Sequence, residues 1–471
     1  MAHFINREHE LAALNQQYIS PGASFIVIYG RRRVGKTTLI KEFIKKRHAL
    51  YFLAEEEDNK ICMKRFANAV EEYTGQNYAN KNSIDDWREI FRSIRDYRNN
   101  GKKIVVIDEL PYIAAANPAF PSNLQWVWDE WFSHDDIMLI LCGSLVRMME
   151  NLTLDYGSPL YGRRTGQIKM KQIDFLHYDK FYDEMPYREL VERYAVTGGV
   201  PKYIEMFDKK KELFDEVRRL ILSVSGFLYE EPEFLLRREV DEIGSYFSLI
   251  KSIASGSHKL GKICTDLGAK QATVQKHLKT LIDLDIVERA VPITETNPEK
   301  SKMSLYFIKD NFLRFWFRFV YPERGRLELG QTDYVKGKIK ESFIQNHVAH
   351  IYENVCRSEF WRMALNGVLH FNTVGGWWDG KEEIDIVAFD STGSDIIFAE
   401  CKYRNQLMDV DVFNDLMRKK ELVKWKNKNR QERYVLFSIS GFTRQMHEIS
   451  DKRSDLILVG AEGAGAYSPI R

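Results

Sequence analysis

Gly30-Arg31-Arg32-Arg33-Val34-Gly35-Lys36-Thr37 fits the pattern G-x-x-x-x-G-K-[ST], and its reading decides the fold. The two glycines let the backbone curl until successive N–H groups face a chain of phosphates. The helix that follows offers its N-terminus, where the dipole favours an anion. Arg31, Arg32, Arg33, Val34 and Thr38 complete the loop's candidate nucleotide contacts. Lys36 is expected to reach the β- and γ-phosphates of ATP, and the Thr37 hydroxyl to bind Mg²⁺. The context agrees. Phe25-Ile26-Val27-Ile28-Tyr29 reads as a buried strand, and Leu39, Ile40, Phe43 and Ile44 recur at helical spacing.

Further along, Ile104-Val105-Val106-Ile107 is a second apolar run, closed by Asp108 and Glu109. Open α/β sheets bind ligands at the carboxyl ends of their strands. Asp108 is therefore the candidate Mg²⁺ ligand, and Glu109 the candidate group that polarises the attacking water. Met138-Leu139-Ile140-Leu141 is another strand, ending in Cys142-Gly143-Ser144. Ser144 is either a sensor of the γ-phosphate or a plain strand-to-loop turn. With Tyr51-Phe52-Leu53-Ala54, these strands predict a parallel sheet covered by helices on both faces. Pro111, Pro118 and Pro121 predict an irregular segment after Ile107.

The rest of the chain changes character twice. Residues 169–244 read as mostly helical and charged, a lid beside the sheet. From Tyr246 to Ile308 the pattern is three helices and two strands. Leu260, Ile263, Cys264 and Leu267 mark one helix, closed by Gly268. Val274, Leu278, Leu281 and Ile282 mark the next. Its outer face carries Lys270, Gln271, Thr273, Gln275, Lys276, His277 and Lys279. Strands at Ile286–Arg289 and Leu305–Ile308, joined by a turn at Asn297–Ser301, complete a winged helix-turn-helix pattern. It serves either major-groove recognition or packing and nucleotide sensing. The aromatic cluster Phe312, Phe315, Trp316, Phe317, Phe319 and Tyr321 reads as packing before base stacking. Pro322–Arg326 reads as a linker.

The C-terminal part is a second α/β unit, with strands expected near Val368–Thr373, Ile384–Phe389, Ile396–Glu400 and Tyr434–Ser438. Asp385 and the Glu400-Cys401-Lys402 triplet fall on two of them. The strand period of two puts Glu400 and Lys402 on one face. Asp385 and Glu400 are then expected to share a hard cation, Mg²⁺ or Mn²⁺, through oxygen ligands. Lys402 orients or helps deprotonate a water. Glu353, in a predicted helix, is a further candidate ligand. Gln406, Arg404, Arg418, Lys419 and Lys420 are candidates for a backbone-binding surface. Lys424, Lys426, Lys428 and Arg430 read as a solvated face.

Composition sets the frame. The chain has 471 residues, 44% hydrophobic and 29% charged, which excludes a disordered, collagen-like or fibrous protein. At roughly 100–200 residues per domain, two to four domains are expected. No apolar run approaches the roughly 20 residues that span a bilayer. The first eight residues lack the apolar core of a secretory signal, so a cytoplasmic location and no membrane partner are expected. The five cysteines are scattered without a CxxC pair, which argues against a disulfide framework and a zinc site. A net charge of +2 neither demands nor excludes nucleic acid.

Taken together, Phe4-Ile5-Asn6-Arg7-Glu8, the Gly30–Thr37 loop, Ile107-Asp108-Glu109, Leu141–Ser144, Pro159–Arg164 and Thr197–Tyr203 resemble the archaeal-type AAA+-related P-loop ATPases, a branch of the STAND switch NTPases. The resemblance covers about residues 1–320. It implies that Asn6 and Arg7 lie near the adenine. It implies that Arg163 or Arg164 approaches the γ-phosphate, in cis or from a neighbouring subunit, and that the loop ending at Pro201 contacts the nucleotide. The D-x14-E-x-K arrangement of Asp385, Glu400 and Lys402 resembles the PD-(D/E)xK nucleases, with no proline before the first acid.

The resulting expectation is an α/β protein: a P-loop NTPase parallel sheet, a helical lid, a winged helix-turn-helix and a C-terminal restriction-endonuclease-like α/β domain. The boundaries are 1–168, 169–244, 245–322 and 323–471. The expected function is a Mg²⁺-dependent ATPase switch coupled to a metal-dependent nuclease-like domain acting on nucleic acid, DNA before RNA. The alternative is a non-cleaving ATP-dependent regulator that binds DNA or protein. A protein-remodelling ATPase ranks third, because no aromatic pore loop is evident. A homo-oligomer is left open.

Overall fold

The computed structural model describes residues 5–76, 85–427 and 429–461. Phe4 and Lys428, both named above, lie outside the described residues. The chain forms two compact units. The first holds the chain up to Ile173, together with Val200–Lys202 and Arg237–Asp241. The second holds Asp174–Gly199, Tyr203–Leu236 and the chain from Glu242 onward.

The first unit is built on five strands: β1 (Ser24–Tyr29), β2 (Ala49–Leu53), β3 (Lys103–Asp108), β4 (Ile137–Gly143) and β5 (Gly166–Lys169). They pair in parallel in the order β2-β3-β4-β1-β5. β1, β3 and β4 are buried along their whole length. Apolar runs without alternation are what a sheet covered on both faces requires. This order sets the ends of β1, β4 and β3 side by side, so the loops after Tyr29, Gly143 and Asp108 share one edge. β5 carries no apolar run, and its short polar sequence gave no strand signal.

The segment after Ile107 is helical, which corrects the irregular reading. Leu110–Ala116 and Phe120–Glu130 are helices. Pro111 and Pro121 each stand in the first turn, where a missing N–H and a fixed φ cost nothing.

In the second unit, helices Ile243–Ala254, Leu260–Leu267 and Gln271–Asp283 precede a two-stranded antiparallel sheet, β6 (Val287–Ala290) with β7 (Leu305–Ile308). Gly268 ends the middle helix in the left-handed region at φ 58°. The aromatic cluster is interior: Phe312, Phe315, Trp316 and Phe317 are all buried. Tyr321–Glu323 and Arg324–Glu328 are helical turns, so the Pro322–Arg326 stretch is no linker. Leu327 is buried and anchors them.

A second sheet closes the chain: β8 (Thr373–Trp378), β9 (Glu383–Phe389), β10 (Asp395–Lys402), β11 (Gln431–Ser438) and β12 (Leu456–Val459), in the order β12-β11-β10-β9-β8. β10, β11 and β12 are parallel, while β8 and β9 run antiparallel. β8 starts where a strand ending at Thr373 was expected to stop. Its Gly375-Gly376 pair hides the strand pattern, and Trp377 supplies the buried anchor. No described helix is long and apolar enough to cross a membrane.

Candidate nucleotide site and carboxylate cluster

The Gly30–Thr37 loop leaves β1 and enters the helix Lys36–Ile44. Gly30 has φ 148°, and a Cβ there would fall 2.4 Å from the Met170 carbonyl oxygen, so only glycine fits. Gly35 caps the helix at φ 95°. The Lys36 ammonium is buried and donates to the carbonyls of Gly30 (2.7 Å) and Arg31 (2.9 Å). Burial holds its pKa below the ordinary lysine value, although Glu109 and Asp108 work the other way.

Asp108 is fully buried. Its Oδ2 accepts from the Thr37 hydroxyl at 2.9 Å and from the Tyr51 hydroxyl at 2.8 Å. Glu109 stands next in the chain at φ 57°. Its Oε2 accepts from the Ser144 N–H at 3.1 Å and the Ser144 hydroxyl at 2.9 Å. A carboxylate and a hydroxyl in hydrogen-bond contact, Asp108 and Thr37, are the hard oxygen donors Mg²⁺ prefers, so these residues fit the ion.

Arg7 is buried and donates to Val34 O (3.0 Å) and Lys171 O (2.6 Å), which braces the loop. Asn6 precedes it at φ 52°. Pro201 lies in the same unit as the loop, whereas Gly198 and Gly199 belong to the other. Thr38 is exposed on the helix, and Arg31 and Arg33 flank Arg32 in the loop, with Arg33 at φ 68°.

Arg163 and Arg164 stand elsewhere. β5 runs parallel to β1 with Gly166 opposite Ile26, and the Thr165 N–H donates to Phe25 O at 2.8 Å. Both arginines are thus at the amino edge of the sheet, while the loop leaves the carboxyl edge after Tyr29. Four residues of strand at roughly 3.3 Å each separate the two edges. Arg163 is held there by a two-pronged ion pair with Asp129 (2.7 and 2.6 Å). The cis approach to the γ-phosphate is therefore corrected, since the register puts both side chains at the wrong edge.

Four residues of this site carry no motif and were not singled out. Tyr51 is one. Tyr112 accepts through its hydroxyl from Arg32 and from Arg238, both at 2.8 Å. Glu239 caps the helix Val146–Thr153 through the Val146 N–H at 2.9 Å. Arg238 and Glu239 come from more than ninety residues away, so no local pattern announces them.

The carboxylate cluster lies in the second sheet. β9 and β10 pair with Ile386 opposite Ala399, which sets Asp385 beside Glu400. A bulge helps. Gly375 pairs with Val387 and Trp377 with Ile384, so Gly376 alone faces both Asp385 and Ile386. Bulges re-aim side chains in this way. Ile396 and Phe398 of β10 enter the core with Phe413 and Leu416 of the helix Val410–Lys419, and Glu400 and Lys402 continue that face.

Lys402 Nζ stands 3.1 Å from Glu400 Oε2 and 3.6 Å from Asp385 Oδ2. Lys419 donates to Glu400 Oε1 at 3.0 Å, and the Cys401 N–H donates to Asp385 at 2.8 Å. Burial, then the Asp385 charge, pushes Glu400 up to about 7. Burial and the charge of Glu353 raise Asp385. Burial works against the Lys402 ammonium, but the two carboxylates outweigh it and raise its pKa. Glu353 sits on the helix Ala349–Leu365, with His350 Nδ1 at 3.7 Å. It influences Asp385 through its charge and makes no direct contact with it among those described. No group of three or more His, Cys, Asp or Glu side chains among the described residues is gathered tightly enough to hold a metal. Asp385 and Glu400 supply two hard oxygen donors; Glu353 is no third in this arrangement.

The basic residues nearby are mostly paired. Arg418 binds Glu382 and Asp415, Lys419 binds Glu400 and Asp415, and Lys420 binds Glu432. These ion pairs correct the open backbone-binding surface expected there. Arg430 is buried against Glu432 and the Val423 carbonyl, which corrects its reading as solvated.

Comparison with known proteins agrees with the first unit. The sequence profile of an ATPase domain predominantly from Archaea matches residues 4–207. A domain of unknown function matches 188–320, and a profile of archaeal and bacterial proteins of unknown function matches 316–434. An uncharacterized protein of Methanocaldococcus jannaschii is 37% identical over 425 residues, which are 89% of this chain and 92% of that one. An uncharacterized ATP-binding protein of the same organism is 48% identical over 44 residues, 9% of this chain and 75% of that one. Among solved structures, the Walker-type ATPase of Pyrococcus abyssi shares the fold at TM-score 0.51 and 20% identity, covering 67% of this chain and 96% of that one.

Proposed function

The chain belongs to the same family as the longer-matched Methanocaldococcus jannaschii protein and carries an archaeal-type P-loop ATPase domain; from that premise we propose an ATP-controlled switch that acts on nucleic acid through its C-terminal carboxylate cluster. In the first unit, Lys36 and the loop amides bind the phosphates. Thr37 and Asp108 hold Mg²⁺, which when bound offsets charge on the β- and γ-phosphates. Glu109 takes the proton of the attacking water, and Ser144 senses the γ-phosphate. Asn6 and Arg7 border the adenine, and Pro201 lies against the nucleotide. Arg163 or Arg164 reaches the γ-phosphate of a neighbouring copy, which makes the switch a homo-oligomer.

In the second unit the three helices with β6 and β7 act as a winged helix that binds DNA. Asp385 and Glu400 would hold Mg²⁺ or Mn²⁺, which when bound would offset charge on a phosphodiester. Lys402 orients the water whose oxygen bonds to phosphorus; that water gives its proton to bulk solvent, and the leaving oxygen takes one from bulk solvent as its bond to phosphorus breaks. The observation that carries this reading is the Asp385–Glu400–Lys402 cluster, in which Glu400 is buried and Asp385 and Lys402 are half-buried beside it. A buried carboxylate with a second one beside it is costly to keep out of water, which favours a use for the pair.

A second reading also has an observation behind it. Lys402 and Lys419 together engage both oxygens of Glu400, as a structural ion-pair network would. On that reading the protein is a non-cleaving regulator. Mn²⁺ titration of the nucleotide-free full chain separates the two. A site lost in Asp385→Ala and kept in Lys36→Ala favours cleavage, and no such site favours the regulator.

A further inference from the structure

The start of the helix Leu260–Leu267, the start of the helix Gln271–Asp283, the β6–β7 loop and the β8–β9 hairpin enclose a cleft of about 750 Å³. Its walls carry Lys259, Lys262, Lys300 and Lys302, all exposed, and Trp378. Among the described residues none of these four lysines enters an ion pair, in contrast to Arg418, Lys419 and Lys420. Glu299 and Asp379 are the acids of the lining. Asp379 is occupied by the N–H groups of Lys381 and Glu382, which it holds in the hairpin turn.

The cleft is fixed on both sides. The Trp378 indole N–H donates to Met303 O at 3.0 Å, and the Ile293 N–H donates to Gly376 O at 2.9 Å. Arg289 holds the far end of the loop through Ser304 and the Pro298 carbonyl. A Cβ at Gly376 would lie 3.4 Å from the Trp378 ring and 3.6 Å from Asp385 O. The tip of the β8–β9 hairpin, Trp378–Gly380, thus forms one wall of the cleft.

We propose that this cleft binds a short single-stranded segment of nucleic acid, with its phosphates on the four lysines and a base against Trp378. Unpaired ammonium groups beside an aromatic face are what a single strand needs, since every base has a π-face and every phosphate a charge. The volume falls in the range of small-ligand clefts, roughly 300–1,000 Å³. Gln271 and Gln275 line the same walls and offer amides to base edges. This inference rests on the nucleic-acid reading above but does not require cleavage.

The test is fluorescence anisotropy of the full chain with a labelled 12-nucleotide oligothymidylate and with a labelled 12-base-pair duplex, across a salt series. Wild type is expected to bind the single strand more tightly. Lys262→Ala/Lys302→Ala is expected to weaken it about tenfold and to lower the salt slope by about 1.4, the single-strand value for two lost phosphate contacts. Trp378→Ala weakens it at every salt concentration, and Trp378→Phe, which keeps a ring, recovers most of the loss. Circular dichroism and melting temperature of the lysine variant stay at the wild-type values, which reports its folding. Wild-type affinity in the lysine variant, or a preference for the duplex, overturns the inference. Cleavage by wild type with no effect of these variants sinks the cleft alone. Loss of single-strand binding in the variants, with no cleavage by wild type, sinks the cleavage reading alone.

Discussion

One carboxylate oxygen of Glu109 accepts both the backbone N–H and the hydroxyl of Ser144, at 3.1 and 2.9 Å. Ser144 directly follows the central strand β4, between the phosphate loop after β1 and the acids at the end of β3. The candidate base and the candidate γ-phosphate sensor are therefore one hydrogen-bonded pair. In the switch proposed above, a phosphate that drew the Ser144 hydroxyl would free Glu109 for water. Ser144→Ala is expected to lower kcat about tenfold or more while ATP affinity stays within about threefold. Steady-state kinetics with direct nucleotide titration checks it, and unchanged kcat removes Ser144 from the switch.

Lys36 and Glu109 should separate binding from turnover. Lys36→Ala removes the ammonium that now spans the Gly30 and Arg31 carbonyls, so nucleotide titration should detect no tight ATP binding. Glu109→Gln keeps the shape and loses the base. Binding should persist while turnover falls about 10²- to 10⁴-fold. Equal turnover in Glu109→Gln and wild type excludes Glu109 as the base.

Glu400 gives a pH signature. Its folded pKa of about 7 lies above the value of about 4.3 for an unperturbed glutamate. Below about pH 4 both states hold the proton and nothing changes. Between there and pH 7 the folded state holds more protons, so stability falls as pH rises, and it levels off above 7. Melting temperatures across pH 4–8 should show this fall in wild type and a smaller one in Glu400→Gln. A divalent cation bound by Asp385 and Glu400 should move the midpoint to lower pH. Parallel curves for the two proteins would show that Glu400 titrates normally.

The phosphate loop, the Asp108-Glu109 pair and the core strands β1, β3, β4, β9 and β10 were legible because each joins an unbroken apolar run to its chemistry. The shared face of Glu400 and Lys402 followed from strand period, while their meeting with Asp385 required the expected pairing of two adjacent strands, which the β9–β10 register supplies. What escaped has physical causes. Pro111 and Pro121 look like breakers until the helix start is known to fall on them. β8 hides behind Gly375-Gly376. Tyr112 and Arg238 meet only through the tertiary fold. The edge on which Arg163 sits depends on the register of β5 against β1, which no motif encodes.

That register leads to a further expectation. Arg163→Ala breaks a half-exposed, two-pronged ion pair with Asp129, so it should cost about 0.5–1 kcal/mol, less at high salt. In dilute protein its ATP affinity should equal wild type. If the arginine serves a neighbouring copy, specific ATPase activity should rise with protein concentration in wild type, and Arg163→Ala/Arg164→Ala should lose that rise. A concentration-independent rate in wild type contradicts the role in trans.

The central claim is that the Asp385–Glu400–Lys402 cluster cuts nucleic acid under ATP control. Supercoiled plasmid and single-stranded DNA and RNA should be incubated with the full chain in Mg²⁺ or Mn²⁺, with and without ATP, beside Asp385→Ala. The account predicts cleavage by wild type, none by Asp385→Ala, and a rate that changes with ATP. Intact substrate under every condition, with ATP hydrolysis preserved, would contradict it and leave the non-cleaving regulator.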